Sequence, residues 1–190
     1  MVQARRTLPV GIGLAAASLV FASVVVAAQP GPDYLAVQSF SADAQNANQV
    51  RLSATAQADV PTHADPFIEG NAIVGIAWAD LDTGTAVVAT IHPALGRDSH
   101  QRKDGWHIHT VQLGGGATAP NDFCLVAVLT TPTAGIQLFG STINVNLNAG
   151  DLPVSGGSAI TASDLDAAVG FTVHPGDAGC ATGLGVRVRT

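Results

Sequence analysis

The stretch Ala72-Ile73-Val74-Gly75-Ile76-Ala77-Trp78-Ala79-Asp80-Leu81-Asp82-Thr83-Gly84-Thr85-Ala86-Val87-Val88-Ala89-Thr90-Ile91-His92 decides how the rest of the chain is read. Two runs of apolar and β-branched residues, Ala72 to Leu81 and Thr85 to His92, flank Asp82-Thr83-Gly84. Gly84 supplies the positive φ that a tight reversal needs, so the stretch predicts a β-hairpin. Pro93 and Gly96 stop the second strand, and a polar segment leads to Gly105-Trp106-His107-Ile108-His109-Thr110-Val111-Gln112-Leu113. Extended, this segment puts His107 and His109 on one face and Trp106, Ile108 and Thr110 on the other. Two imidazoles on one strand face are half of a metal site, and equally well two polar groups on a solvated face; a third ligand has to come from elsewhere in the chain.

Outward from this centre the same texture continues. Val50, Leu52 and Ala54 alternate with polar residues between Gln49 and Ala56, and Ile143, Val145 and Leu147 alternate with asparagines in the segment from Ile136 to Leu147. Phe123 to Leu129, Phe171 to His174 and Gly183 to Arg189 are short strand candidates bounded by Gly, Pro, Asn and Asp. Asp59 to Gly70 reads as a loop, with His63 solvated within it. Ser163-Asp164-Leu165-Asp166 has the spacing of a capping box and predicts one or two helical turns ended by Gly170. About eight short strands with one helical turn and no internal repeat predict an all-β fold, an antiparallel Greek-key β-barrel or sandwich.

The N-terminal stretch suggests export. Within residues 1–28, Arg5 and Arg6 precede an uncharged apolar run from Leu8 to Val26, and Val26-Ala27-Ala28 offers small residues for cleavage, the pattern of a signal peptide. Residues 8–28 are also long enough to serve as an uncleaved membrane anchor. Residues 29–45, opening Gln-Pro-Gly-Pro-Asp, read as a linker, and 46–190 as one β domain in an extracytoplasmic compartment.

Without Arg5 and Arg6 the 8 basic residues fall to 6 against 14 acidic ones, taking the net charge from −6 to −8. That surface argues against nucleic acid as a partner, because phosphate backbones need clustered Lys and Arg. All the acids but Glu69 are Asp, which favours turns and strand ends over helix surfaces. The two cysteines, Cys124 and Cys180, are expected to be bonded, since an exported chain meets an oxidising environment. No glycine-rich phosphate loop, dinucleotide fingerprint or Gly-x-Ser-x-Gly elbow is present, which excludes the commonest nucleotide and serine-hydrolase chemistries.

Among six histidines, His174 stands out as a third ligand, because it ends a strand whose polar face also carries Thr172. If that end abuts the His107 and His109 strand, three imidazoles converge on copper or zinc. A cupin site would need a Glu after the His-x-His pair, and none follows Glu69; a blue-copper site needs Cys and His ligands, usually with a Met, and the only Met is Met1.

On these residues the chain resembles the copper/zinc superoxide dismutase family. Ala86-Val87-Val88-Ala89-Thr90-Ile91, a loop and Gly105-Trp106-His107-Ile108-His109 are similar to that family's strand, loop and Gly-Phe-His-Val-His segment, and Phe171-Thr172-Val173-His174 to its later strand ending in a copper ligand. The resemblance implies a Greek-key barrel, copper held by His107, His109 and His174, a disulfide of Cys124 with Cys180, and superoxide dismutation. No histidine lies between His109 and His174, so the bridging and zinc-binding histidines have no counterpart and no zinc site is expected. The stretch 86–113 resembles CHRD domains as well, which implies an extracellular β module with a structural or binding role.

Overall fold

The computed structural model describes residues 32–63, 73–92 and 105–189. Twelve strands occur among them: β1 (Val37–Asn46), β2 (Gln49–Ala56), β3 (Ile73–Asp80), β4 (Thr85–Ile91), β5 (His107–Gly114), β6 (Phe123–Thr130), β7 (Gly135–Phe139), β8 (Thr142–Asn148), β9 (Val154–Ser155), β10 (Ser158–Ala159), β11 (Ala167–Pro175) and β12 (Leu184–Arg189). The only helical elements described are 3-10 turns of three residues at Asp33–Leu35, Ala149–Asp151 and Ala162–Asp164. The fold is all-β and antiparallel, as expected. It is both a barrel and a layered sheet: β3, β4, β5, β6, β12 and β11 close into a six-stranded barrel, and β1, β2, β8 and β7 form a four-stranded sheet.

The hairpin read from 72–92 is the frame of the barrel. β3 and β4 pair from Val74 with Ile91 to Asp80 with Thr85. Gly84 takes φ 68°, and the Asp80 carboxylate accepts hydrogen bonds from the Asp82 and Thr83 amides and the Thr83 hydroxyl. β5 then pairs with β4, and β6 with β5, in a meander. The chain next leaves for the flat sheet through β7 and β8, and β11 returns to lie beside β3, a Greek-key connection. β12 closes the ring on β6 through two residue pairs only, Gly185 with Cys124 and Val186 with Phe123.

Strand alternation divides the apolar residues into two cores. Val74, Ile76 and Trp78 of β3, Val87, Ala89 and Ile91 of β4, and Trp106 and Ile108 face outward from the barrel onto Val50, Leu52, Ala54, Ile143, Val145 and Leu147 of the flat sheet. Trp78 is fully buried there, and its indole N–H reaches the Ser53 carbonyl of β2 at 3.1 Å, tying barrel to sheet. The opposite faces point into the barrel, where Ala77, Ala79, Ala86, Val88, Val111, Phe171, Val173 and Val186 meet. The disulfide expected between Cys124 and Cys180 is present, with Cα atoms 5.3 Å apart. It fastens β6 to the turn between β11 and β12, beside the two-pair seam.

Three local expectations change. Residues 37–45, read as part of a linker, belong to β1, which pairs with β2 along its length. Its outer positions are exposed, so no alternation marks it, and its anchor is the buried Leu35 just upstream. Leu35 packs its backbone against β11 at Gly170, where a Cβ would overlap the Leu35 carbonyl. Gly170 therefore lies inside a strand and ends no helix. The capping box sits two residues earlier than expected: Thr161 is the cap and Asp164 its partner, the Asp164 carboxylate accepting from the Thr161 amide at 2.7 Å and hydroxyl at 2.9 Å. The segment from Ile136 to Leu147 is two strands rather than one, folded back at Gly140, whose φ is 56°. Residues 1–28, and Arg97, Arg102 and Lys103 of the polar segment before Gly105, lie outside the described residues.

Candidate metal centre

β4 and β5 bring three histidines to one end of the barrel. His107 pairs with Thr90 and His109 with Val88, so all four side chains share the inward face, and His92 follows Thr90 by two positions on that face. The loop between β4 and β5 joins the end of one strand to the start of the next, which makes His92 and His107 neighbours across the pair. His92, His107 and His109 each present one ring nitrogen, and the three atoms lie within 4.8 Å of one another. His92 and His107 are buried, at 6% and 3% exposure, while His109 is half-exposed.

The hydrogen bonds orient the rings as metal-ligating histidines are oriented. His107 Nδ1 is 3.0 Å from the Gly105 carbonyl, which can only accept, so the proton is on Nδ1 and the lone pair on Nε2. His109 Nδ1 is 3.1 Å from the Thr131 hydroxyl, which leaves its Nε2 as the ligating nitrogen. His92 Nε2 lies 2.9 Å from His107 Nε2 and, with the His107 proton on Nδ1, donates to it. Two nitrogens bound to one ion at about 2.0–2.1 Å lie roughly 2.9 Å apart at a right angle and about 3.3 Å apart in a tetrahedron. The 2.9 Å pair already has that spacing, and the third nitrogen lies within 4.8 Å of both. The donor set is three neutral imidazoles without a carboxylate or thiolate, and it fits copper or zinc. Binding would shift the His92 proton from Nε2 to Nδ1, so that its Nε2 also presents a lone pair.

Sequence reasoning named His107 and His109 and missed His92. The structure does not bring His174 to them. Val173 and Phe171 line the barrel interior, so Thr172 and His174 point away from it, and His174 Nε2 is held by the Thr172 hydroxyl at 2.6 Å. Burial, with the positive charge of Arg187 beside it, holds the His174 imidazole below the usual histidine range. His63 is exposed, as expected. A signal for His92 was present: the inward register of β4, Ala86, Val88, Thr90, ends on it, directly before the turn into the His-x-His strand.

The histidine rim opens into a cavity of about 840 Å³ along the barrel interior. His92, His109, Thr90 and Thr131 line it at this end, and Asp80, Leu81 and Gly84 at the other. No protein-family model matches the chain, and no curated protein or solved structure matches it either.

Proposed function

We propose that this chain is an extracytoplasmic β-barrel domain that binds one transition-metal ion, copper, through His92, His107 and His109. The observation that carries the reading is the convergence of three ring nitrogens within 4.8 Å, with two of the rings held at Nδ1 by protein oxygens. Copper is the choice among imidazole-binding divalent ions because it stands highest in the affinity order for such a site. Export is supported by the disulfide, which an oxidising compartment maintains, and by the leader-like composition of residues 1–28. Copper bound there would supply one-electron chemistry, for which superoxide is the substrate that the resemblance implies. The chain's own part is to fix three imidazoles on two paired strands and to leave the His109 side open for a small ligand.

The test is metal content of chelator-free protein after copper loading, with His92→Ala and His174→Ala measured beside wild type. One copper per chain in wild type and His174→Ala, and none in His92→Ala, is the expected result; superoxide turnover is then assayed on the loaded protein. No retained copper in wild type would overturn the reading and leave a disulfide-stapled β module with a structural or binding role.

A further inference from the structure

We propose that the barrel interior is a binding chamber for a linear amphiphile, an unbranched alkyl chain ending in a carboxylate, with the chain in the bore and the carboxylate at the histidine rim. The bore rests on the packing of the barrel; only the way the carboxylate is held rests on the metal reading. Even eight strands leave a barrel interior just wide enough for side chains or one small ligand, so a six-stranded barrel would ordinarily be filled. Here three of the inward wall positions are alanine, Ala77 and Ala79 of β3 and Ala167 of β11, and all three line the cavity. They leave about 840 Å³ in a space that Val88, Val111 and Val173 keep apolar. Water finds too few partners on such walls to be held there, whereas an apolar ligand of matching size can fill them.

The polar lining decides both the class and the direction of the ligand. Thr90, His92, His109 and Thr131 stand at one end, Asp80 at the other, and the length between is lined by aliphatic and aromatic side chains. A carboxylate at the Asp80 end would face a like charge. At the histidine end it meets the Thr90 and Thr131 hydroxyls or the bound ion. A narrow bore favours an unbranched chain over a fused ring system. The way in is the seam of β6 with β12, where two residue pairs close the wall; Val128 of β6 lines the cavity and yet is 54% exposed.

Calorimetric titration of dodecanoate into the full-length chain, metal-free and copper-loaded, tests this, with acetate as the headgroup-only control. Saturable binding of one dodecanoate to the metal-free protein is expected, with no binding of acetate. Ala77→Leu, which fills the bore, should weaken binding about tenfold or more with an unchanged melting curve. Ala79→Leu is the second variant, should the first not fold. In the loaded protein, Cu(II) should broaden the carboxyl carbon resonance of labelled dodecanoate more than that of the terminal methyl. Absence of saturable dodecanoate binding to both forms would overturn the proposal. So would wild-type affinity in a folded leucine variant, and stronger broadening of the methyl would overturn the stated direction. Saturable binding by a chain that retains no copper upholds the chamber and sinks only the metal reading.

Discussion

Replacing Trp106 tests whether the core and the histidine rim are one construction. Trp106 precedes His107 on β5, faces the flat sheet at 8% exposure, and donates its indole N–H to the Pro61 carbonyl at 2.7 Å. An indole buries roughly 150–250 Å², worth about 4–6 kcal/mol at about 25 cal/mol per Å². Alanine keeps part of that, so Trp106→Ala should cost roughly 3–5 kcal/mol. Trp106→Phe keeps a ring but loses the donor, and should cost about 1–2 kcal/mol. In a domain of this size the alanine variant should melt roughly 6–20 °C below wild type. The assay is guanidinium unfolding followed by circular dichroism, with fluorescence of Trp78, the only other tryptophan, as a second probe. A loss below about 1 kcal/mol in the alanine variant, at unchanged denaturant slope, would refute the packing assigned here to β5 and with it the support of His107.

Two further outcomes are expected. Cys124→Ser frees a loop of 56 residues and should lower stability by roughly 4 kcal/mol on the chain-entropy account; wild type under reductant should then unfold at the variant's midpoint, and a midpoint insensitive to reductant would contradict the assignment. Asp177 accepts hydrogen bonds from the Thr118 hydroxyl and amide, the Asn121 amide and the Gly179 amide, which lower its pKa from 3.8 to about 2. Because the folded-state value is the lower one, its contribution is full above the unfolded value of 3.8 and is lost as pH falls through about 2. Melting temperatures of wild type and Asp177→Asn should therefore differ most above that window and converge below it; parallel curves would show that Asp177 does not titrate with folding.

The hairpin at 72–92, the His-x-His face, the Phe123 and Phe171 strands and the disulfide were legible because each is encoded locally, by period, by turn residues or by compartment. What was not legible depended on partners distant in sequence. β1 has an exposed outer face and no alternation, and it becomes a strand because β2 offers it an edge and Leu35 anchors its start. The position of the capping box could not be settled by spacing alone, because both Ser163 with Asp166 and Thr161 with Asp164 satisfy it. Thr161 prevails because β11 begins at Ala167, so Asp166 is already leading into the strand.

The exchange of His174 for His92 has the same origin. Alternation correctly puts Thr172 and His174 opposite Phe171 and Val173, but it cannot say which of the two faces is the inside of a barrel. On β11 the apolar face is the interior, so the polar face carrying His174 turns outward. On β4 and β5 both faces are largely apolar, one buried against the flat sheet and one in the bore, so the histidines join the inner face at its open end. A ligand set on a barrel rim is therefore set by strand pairing: Thr90 opposite His107 fixes the register, and that register brings His92 to the rim whatever the rest of the chain contributes. The two strands that meet there are consecutive in sequence, so the three clustered histidines come from the end of β4 and from β5, and none of them from β11.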